Sequence, residues 1–386
     1  MTRRRLYACI AAVGLASSAC SAGVSASGIP SPTPSPSSSC PAQVFSRMTE
    51  AQRVGQLFLV GIAGDSIPEV AKAVTTYHFG SLLYGSNTTA SAAQIRRQTR
   101  EMQALASSYA TAGVRFFIAA NQEGGEVRNM RGSGFAQIPS ALDQGTLTPG
   151  ELQQEAEGWG QELSSAGVNL NLAPVMDVVP PGTAADNQPI GALQREFGDT
   201  PTTVADHGVA FIKGMQRAGV ATTAKHFPGL GRVAGNTDFT SGVVDTVTTP
   251  DDPYLRTFQD AIDAGVPFVM VALATYTRID PGHLAAFSSR VMRAMLRQRM
   301  RFRGVIVSDD LGVAAAVADI PSTTRGIDFL AAGGDMITSE SLTAATEMEA
   351  GILEHAAMDS AFHAEVNSAV RYVLSAKQAF RLLPCS

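Results

Sequence analysis

Eight short β-rich runs, separated for the most part by helical stretches, predict a single α/β domain built as a (β/α)8 barrel of the TIM type. Two further observations agree. Glycine recurs just ahead of the runs, as in Ala112-Gly113, Ala166-Gly167, Ala218-Gly219 and Ala264-Gly265, where a helix C-cap belongs. No second linker interrupts residues 40–386, and barrels of alternating strands and helices reach this length as one domain.

The runs are Leu57 to Ile62, Phe79 to Tyr84, Val114 to Ala120, Val168 to Leu172, Val220 to Ala224, Pro267 to Ala272, Val305 to Val307 and Met336 to Thr338. Each is short, apolar and bounded by turn formers, as a buried parallel strand is. Helical character fills the stretches Ser91 to Ala110, Pro149 to Ala166, Thr203 to Ala218 and Ser288 to Arg301. A doubly wound open sheet is the competing architecture, because alternation alone does not close a sheet.

The N-terminus reads as an export signal. Arg3, Arg4 and Arg5 precede the apolar stretch Leu6 to Ala16, and Ser17, Ser18 and Ala19 lead to Cys20. This stretch is too short to remain as a transmembrane helix. A small-residue run ending in cysteine resembles a bacterial lipoprotein signal, with Cys20 lipidated after cleavage, although Ser17 stands where such signals usually have Leu. Ordinary cleavage and release is the alternative. Residues 1–19 are then a signal peptide and residues 20–39, rich in Ser and Pro, an extended tether. The expectation is an exported lipoprotein on the outer face of the cell membrane, touching the membrane only through its lipid and monomeric.

Cys40 and Cys385 bracket the domain. In an oxidising compartment a disulfide between them is expected, with two free thiols as the alternative. The six histidines (His78, His207, His226, His283, His355 and His363) are scattered and no CxxC occurs, so no zinc site is expected. Removing residues 1–19, which carry three Arg and no acid, takes the formal charge from −5 to −8. With no basic cluster beyond the signal, nucleic-acid binding is disfavoured.

The most informative stretch is Ala224 to Asp238, AKHFPGLGRVAGNTD. Lys225 and His226 stand at a strand tip, and Asn236 and Asp238 on the loop beyond it. Gly229 to Ala234 also satisfies the G-x-G-x-x-G/A pattern of dinucleotide sites. Pro228 before it and turn formers after it remove the strand-to-helix context that the pattern needs. Polar residues recur at other strand tips: Asn121 and Glu123, Asp177, and Asp309 with Asp310. A barrel enzyme collects such residues in one pocket.

Val305-Ile-Val307 runs directly into Ser308-Asp309-Asp310. Adjacent acids at a buried strand tip require a partner or a function. Asp310 is a candidate cap for a helix beginning over Leu311 to Ala316, and Asp309 with Asp238 a candidate carboxylate pair for glycoside hydrolysis, roughly 5 to 5.5 Å apart in a retaining enzyme. Helix capping and core ion pairing compete with that reading. No G-x-S-x-G elbow, P-loop or H-E-x-x-H occurs.

Ordered motifs now carry a resemblance: Val54-Gly-Gln-Leu-Phe-Leu-Val-Gly61, Asn121-Gln-Glu-Gly-Gly125, Leu172-Ala-Pro-Val-Met-Asp177, Arg195-Glu-Phe-Gly198, Lys225-His-Phe-Pro-Gly229 and Ser308-Asp-Asp-Leu311. Over residues 48 to 375 the chain resembles the NagZ-type β-N-acetylglucosaminidases of glycoside hydrolase family 3. The resemblance implies a β/α barrel, no metal and no organic cofactor. It implies Asp309 as the nucleophile, with Asn121, Arg195, Lys225 and His226 binding the sugar. Where such enzymes carry Asp-Ser-His, with the His as acid/base, this chain has Asn236-Thr237-Asp238, so Asp238 takes the acid/base position. Leu230 replaces a loop histidine, Asn121 an Asp, Asn129 an Arg flanked by Arg128 and Arg131, and Leu273 a His.

The expected function is a retaining exo-β-N-acetylglucosaminidase acting on terminal GlcNAc of muropeptides or other cell-wall carbohydrate. A β-glucosidase on the same scaffold and an inactive sugar-binding lipoprotein are the alternatives.

Overall fold

The computed structural model describes residues 39–62 and 67–385. The signal, Cys20 and nearly all of the tether lie outside the described residues. Each of the eight runs becomes a strand: β1 (Phe58–Gly61), β2 (Ser81–Tyr84), β3 (Phe117–Ala120), β4 (Leu170–Asn171), β5 (Ala221–Phe227), β6 (Phe268–Val271), β7 (Val305–Asp310) and β8 (Met336–Ser339). They close into one parallel barrel in chain order, β8 returning to β1 through the pairs Phe58↔Ile337 and Leu59↔Thr338. The closed barrel excludes the open sheet. The C-caps are as read: Gly113, Gly167, Gly219 and Gly265 hold φ of +78°, +82°, +78° and +81°, a region that glycine enters without Cβ strain.

Two pairs of barrel strands are irregular, and both irregularities lie at C-terminal tips. Between β5 and β6 the partners run Ala224↔Val269 and then Phe227↔Val271. Between β7 and β8 they run Val307↔Met336 and then Asp310↔Thr338. Each time the first strand carries one extra residue, a bulge that re-aims side chains. The inserted stretches hold Lys225-His226 and Ser308-Asp309.

The helical readings need three corrections. Ser91 to Ala110 is two helices, Ala92–Ala104 and Ser108–Thr111, because Ser107 caps a fresh start, its Oγ accepting from the Ala110 amide at 3.0 Å. The helix within Ser288 to Arg301 covers Arg290–Arg299 with wide π turns, ending in a bond from the Met300 amide to the Met295 carbonyl at 2.9 Å. No helix begins at Leu311. Both Asp310 carboxylate oxygens take amides of a tight turn, Gly312 at 2.9 Å and Val313 at 2.9 Å, and the next α-helix is Ser322–Ala332. The Ala315 and Ala316 amides are spent on the carbonyls of Asp238 and Thr237, both at 3.1 Å.

The last helix, Ser360–Ala379, reaches the N-terminal end of the barrel, where its Lys377 meets the Gly80 carbonyl just ahead of β2. Phe117 stacks edge-on against Phe268 at 5.3 Å inside the barrel. Cys40 and Cys385 are joined in a disulfide with Cα atoms 6.0 Å apart. A closure of 345 residues restricts the unfolded chain by an amount of order 5 kcal/mol in the loop-entropy picture.

Lys377, on that last helix, is fully buried. Its Nζ donates to Gln56 Oε1 at 2.7 Å and to the Gly80 carbonyl at 2.6 Å, and among the described residues no carboxylate pairs with it. Burial therefore pushes its pKa well below the ordinary lysine value. The unfolded chain takes up this proton near about pH 10.4, whereas the folded chain does so only at lower pH. Between those values the unfolded state binds more protons, so stability rises with pH. Lys377→Met removes this contribution. Urea unfolding of both proteins between about pH 7 and pH 10 should show a wild-type slope steeper by up to about 1.4 kcal/mol per pH unit; parallel profiles would contradict the assignment.

Candidate active site

At the tip of β5, Lys225 and His226 are both buried. Lys225 Nζ lies 2.6 Å from Glu123 Oε1 and donates to Asn121 Oδ1 at 2.9 Å. Arg195 grips the same carboxylate with both arms, Nε to Oε2 at 2.8 Å and an Nη to Oε1 at 2.8 Å, and its other Nη donates to the Pro189 carbonyl at 2.8 Å. Burial alone would raise Glu123, but Arg195 and Lys225 overcome it and hold its pKa at about 2. Burial lowers Lys225 and would lower Arg195, whose pKa the Glu123 charge instead raises. The result is one anion shared between two cations, with Asn121 beside them.

Asp177, six residues beyond the end of β4, is wholly enclosed. One oxygen accepts the backbone amides of His226 at 3.1 Å and Leu230 at 3.0 Å, and the other accepts His226 Nδ1 at 2.8 Å. An acceptor-only carboxylate at Nδ1 assigns the proton to that nitrogen. Nε2 is left toward the cavity, 3.5 Å from an Arg195 Nη.

The tip of β7 separates its two acids. Asp310 is consumed by the turn, and a third amide, that of Glu340, reaches its Oδ1 at 2.8 Å. Asp309 accepts one bond, from the Asp310 amide at 3.0 Å, and opens on the cavity.

Asp238 reaches the same cavity from the loop after β5. The Asn236 Oδ1 takes the Asp238 backbone amide at 2.9 Å and so shapes the turn. Although Asp238 faces open space at the mouth, the surrounding walls and then the Asp309 charge raise its pKa, against the pull of Arg195, His226 and Lys225. The cavity has a volume of about 590 Å³ and brings together Asn121, Arg195, Lys225, His226, Asp238 and Asp309.

Residues 49–376 match the glycosyl hydrolase family 3 N-terminal domain. The chain belongs to glycosyl hydrolase family 3. It is 34% identical over 231 residues to a beta-hexosaminidase of Stenotrophomonas maltophilia, covering 57% of this chain and 65% of that relative's length. A beta-hexosaminidase of Thioalkalivibrio sulfidiphilus is 32% identical over 294 residues, 72% of this chain and 79% of that one. Among solved structures, a β-N-acetylhexosaminidase from Beutenbergia cavernae superposes with a TM-score of 0.84 at 45% identity, covering 86% of this chain and 99% of that one.

Within this family 3 barrel the departures from the family pattern have local explanations. Asn129 is buried, and its Oδ1 accepts the Asn121 backbone amide at 2.6 Å. Arg128 and Arg131 do not replace the missing arginine. Neither lines the cavity; Arg128 donates to the Ala136 carbonyl at 2.7 Å and Arg131 to those of Arg128 at 2.9 Å and Glu126 at 2.8 Å. Leu230 puts its side chain in the cavity wall while its amide serves Asp177. Leu273 is fully buried. The Gly229 to Ala234 segment is a loop with no helix after it, and Gly231 packs where a Cβ would meet the Val178 carbonyl oxygen at 2.0 Å.

Sequence reasoning placed Glu123 and Asp177 at strand tips without giving them work. Charge balance was the available signal, since Lys225 and Arg195 in one buried pocket require an anion. Glu340 was missed altogether. It directly follows β8, and it lines the cavity beside Asp309 and Asp238. Burial by the cavity walls, followed by the charges of Asp310, Asp238 and Asp309, pushes its pKa up to about 7.

The unfolded chain releases the Glu340 proton near 4.5, the ordinary value for a glutamate, and the folded chain only at about 7. Between these the folded state holds more protons, so stability falls as pH rises. Glu340→Gln lacks that cost. In thermal unfolding it should exceed wild type above about pH 7 and show no such gain below about pH 4. A gain of equal size at both pH values would sink the electrostatic account.

Proposed function

We propose that this protein is a retaining exo-β-N-acetylglucosaminidase that removes non-reducing terminal GlcNAc from muropeptides or related cell-wall fragments. The observation that carries the proposal is the arrangement of Asp309. Its carboxylate is the one of its pair that a backbone turn does not take up, and it lines the cavity together with the fixed polar groups of Lys225, Arg195 and His226. The names of the Stenotrophomonas and Beutenbergia relatives support the sugar class.

In the first step an Asp309 oxygen bonds to C1 as the bond from C1 to the leaving oxygen breaks. Asp238 gives its proton to that oxygen. In the second step Asp238, now a carboxylate, takes a proton from water as the water oxygen attacks C1 and releases Asp309. A raised Asp238 pKa suits a group that must be protonated before the first step. Lys225, Asn121 and the Arg195–Glu123 pair hold hydroxyls of the terminal sugar, and His226 presents Nε2 as a further polar contact. The Cys40–Cys385 disulfide supports an exported protein. In this reading Cys20 carries the lipid and residues 20–39 tether the domain to the outer face of the membrane. Loss of detergent-phase partitioning in Cys20→Ala is the expected result, and unchanged partitioning would count against the anchor.

Asp309→Ala should reduce release from an aryl β-N-acetylglucosaminide to background, with the folded variant checked by circular dichroism. Full activity in that variant would end the mechanism, and wild-type turnover mainly of the aryl β-glucoside would change the sugar. Asp238→Ala should lose about 10² to 10⁴-fold on substrates with poor leaving groups. The same variant should keep its pre-steady-state burst on activated aryl substrates and be rescued by azide. An equal loss of the burst on all substrates would remove Asp238 from the acid role.

A further inference from the structure

Phe239 is 82% exposed, the most exposed large apolar side chain among the described residues, and it lines the catalytic cavity. It directly follows Asp238. Val313, 61% exposed, lines the same cavity from the loop after β7. The two loops are fastened together. The Ala315 and Ala316 amides donate to the Asp238 and Thr237 carbonyls at 3.1 Å, and on the Phe239 loop itself the Phe239 and Thr240 amides donate to the Asn236 carbonyl at 3.1 and 2.8 Å. The aromatic ring is thus presented at the mouth by bonded backbone and left uncovered by its own protein.

The polar groups of the cavity are divided in a way that gives this ring a place. Fixed hydroxyl-binding groups lie on the floor at the tips of β3 and β5. Asp238 marks where the glycosidic oxygen must be, so whatever leaves lies outward of Asp238, on the side of the next residue. A pyranose ring offers an apolar face of C–H bonds, which packs on an aromatic ring and gains from burying it. We infer that Phe239, with Val313 beside it, forms the subsite for the leaving group and selects a leaving pyranose over a small alcohol. This inference rests on the glycosidase reading above and adds to it the residue that recognises the departing sugar.

The test compares two substrates that share the transferred sugar. A β-1,4-linked GlcNAc disaccharide places a pyranose against Phe239, whereas the leaving group of β-N-acetylglucosaminyl fluoride is a single fluoride ion that cannot reach it. Phe239→Ala should lower kcat/KM for the disaccharide about tenfold, chiefly through KM, and leave the fluoride and its pH profile unchanged. Phe239→Trp should restore the disaccharide. Equal losses on both substrates would mean that Phe239 acts only by holding Asp238, and an unchanged disaccharide would mean that it contacts no sugar; either result overturns the subsite. Wild-type protein that turns over neither substrate overturns the glycosidase reading itself, and the subsite with it.

Discussion

The Glu123 carboxylate is the interaction on which the cavity floor depends. Lys225 and Arg195 are drawn into the protein at the ends of different elements, and each would be costly to bury without a counter-charge. Glu123 answers both, 2.6 Å from Lys225 and in a two-armed pairing with Arg195. Removing one partner of such a buried group typically costs about 3–5 kcal/mol. The geometry that the pairing fixes is also chemical: with Glu123 occupied, the remaining Lys225 and Arg195 edges and the Asn121 amide become a preformed set of polar contacts. A site assembled before the ligand arrives spends less binding energy on ordering itself.

The acids that face this floor are held differently. Asp310 accepts three backbone amides, and by doing so shapes the turn that presents Asp309. Asp177 likewise serves backbone and ring to set the His226 tautomer. Asp309, Asp238 and Glu340 line the cavity beside Asp310, and burial by its walls, followed by the repulsion among these acids, keeps protons on Asp238 and Glu340 to higher pH than an isolated carboxyl would allow. Of adjacent acids in the chain, then, one is structural and one is available, and the fold assigns the parts.

The barrel itself was legible because its evidence was local. Buried parallel strands need short apolar runs, and each helix ahead of Gly113, Gly167, Gly219 and Gly265 needed a residue tolerant of positive φ. The failures were also local in origin. Asp310 before an Ala-rich stretch looks like a helix cap, yet Ala315 and Ala316 spend their amides on the Asp238 loop, a partner distant in sequence. Asn129 is flanked by two arginines in the chain, yet the guanidinium groups of Arg128 and Arg131 are taken by the backbone carbonyls of Ala136, Arg128 and Glu126.

The sequence by itself determined the strand count and, through its motifs and the resemblance they carry, set Asn121, Arg195, Lys225, His226, Asp238 and Asp309 apart as candidates. These follow from periodicity and motif order, which a linear chain carries in full. Tertiary structure alone decided that Glu123 unites Lys225 with Arg195, that an extra residue in β5 and in β7 re-aims their tips, and that Glu340 and Phe239 border the same cavity. The reason is physical: charge pairing, bulge register and convergence of loops depend on which strand tips become neighbours, and that is fixed only when the eighth strand closes against the first.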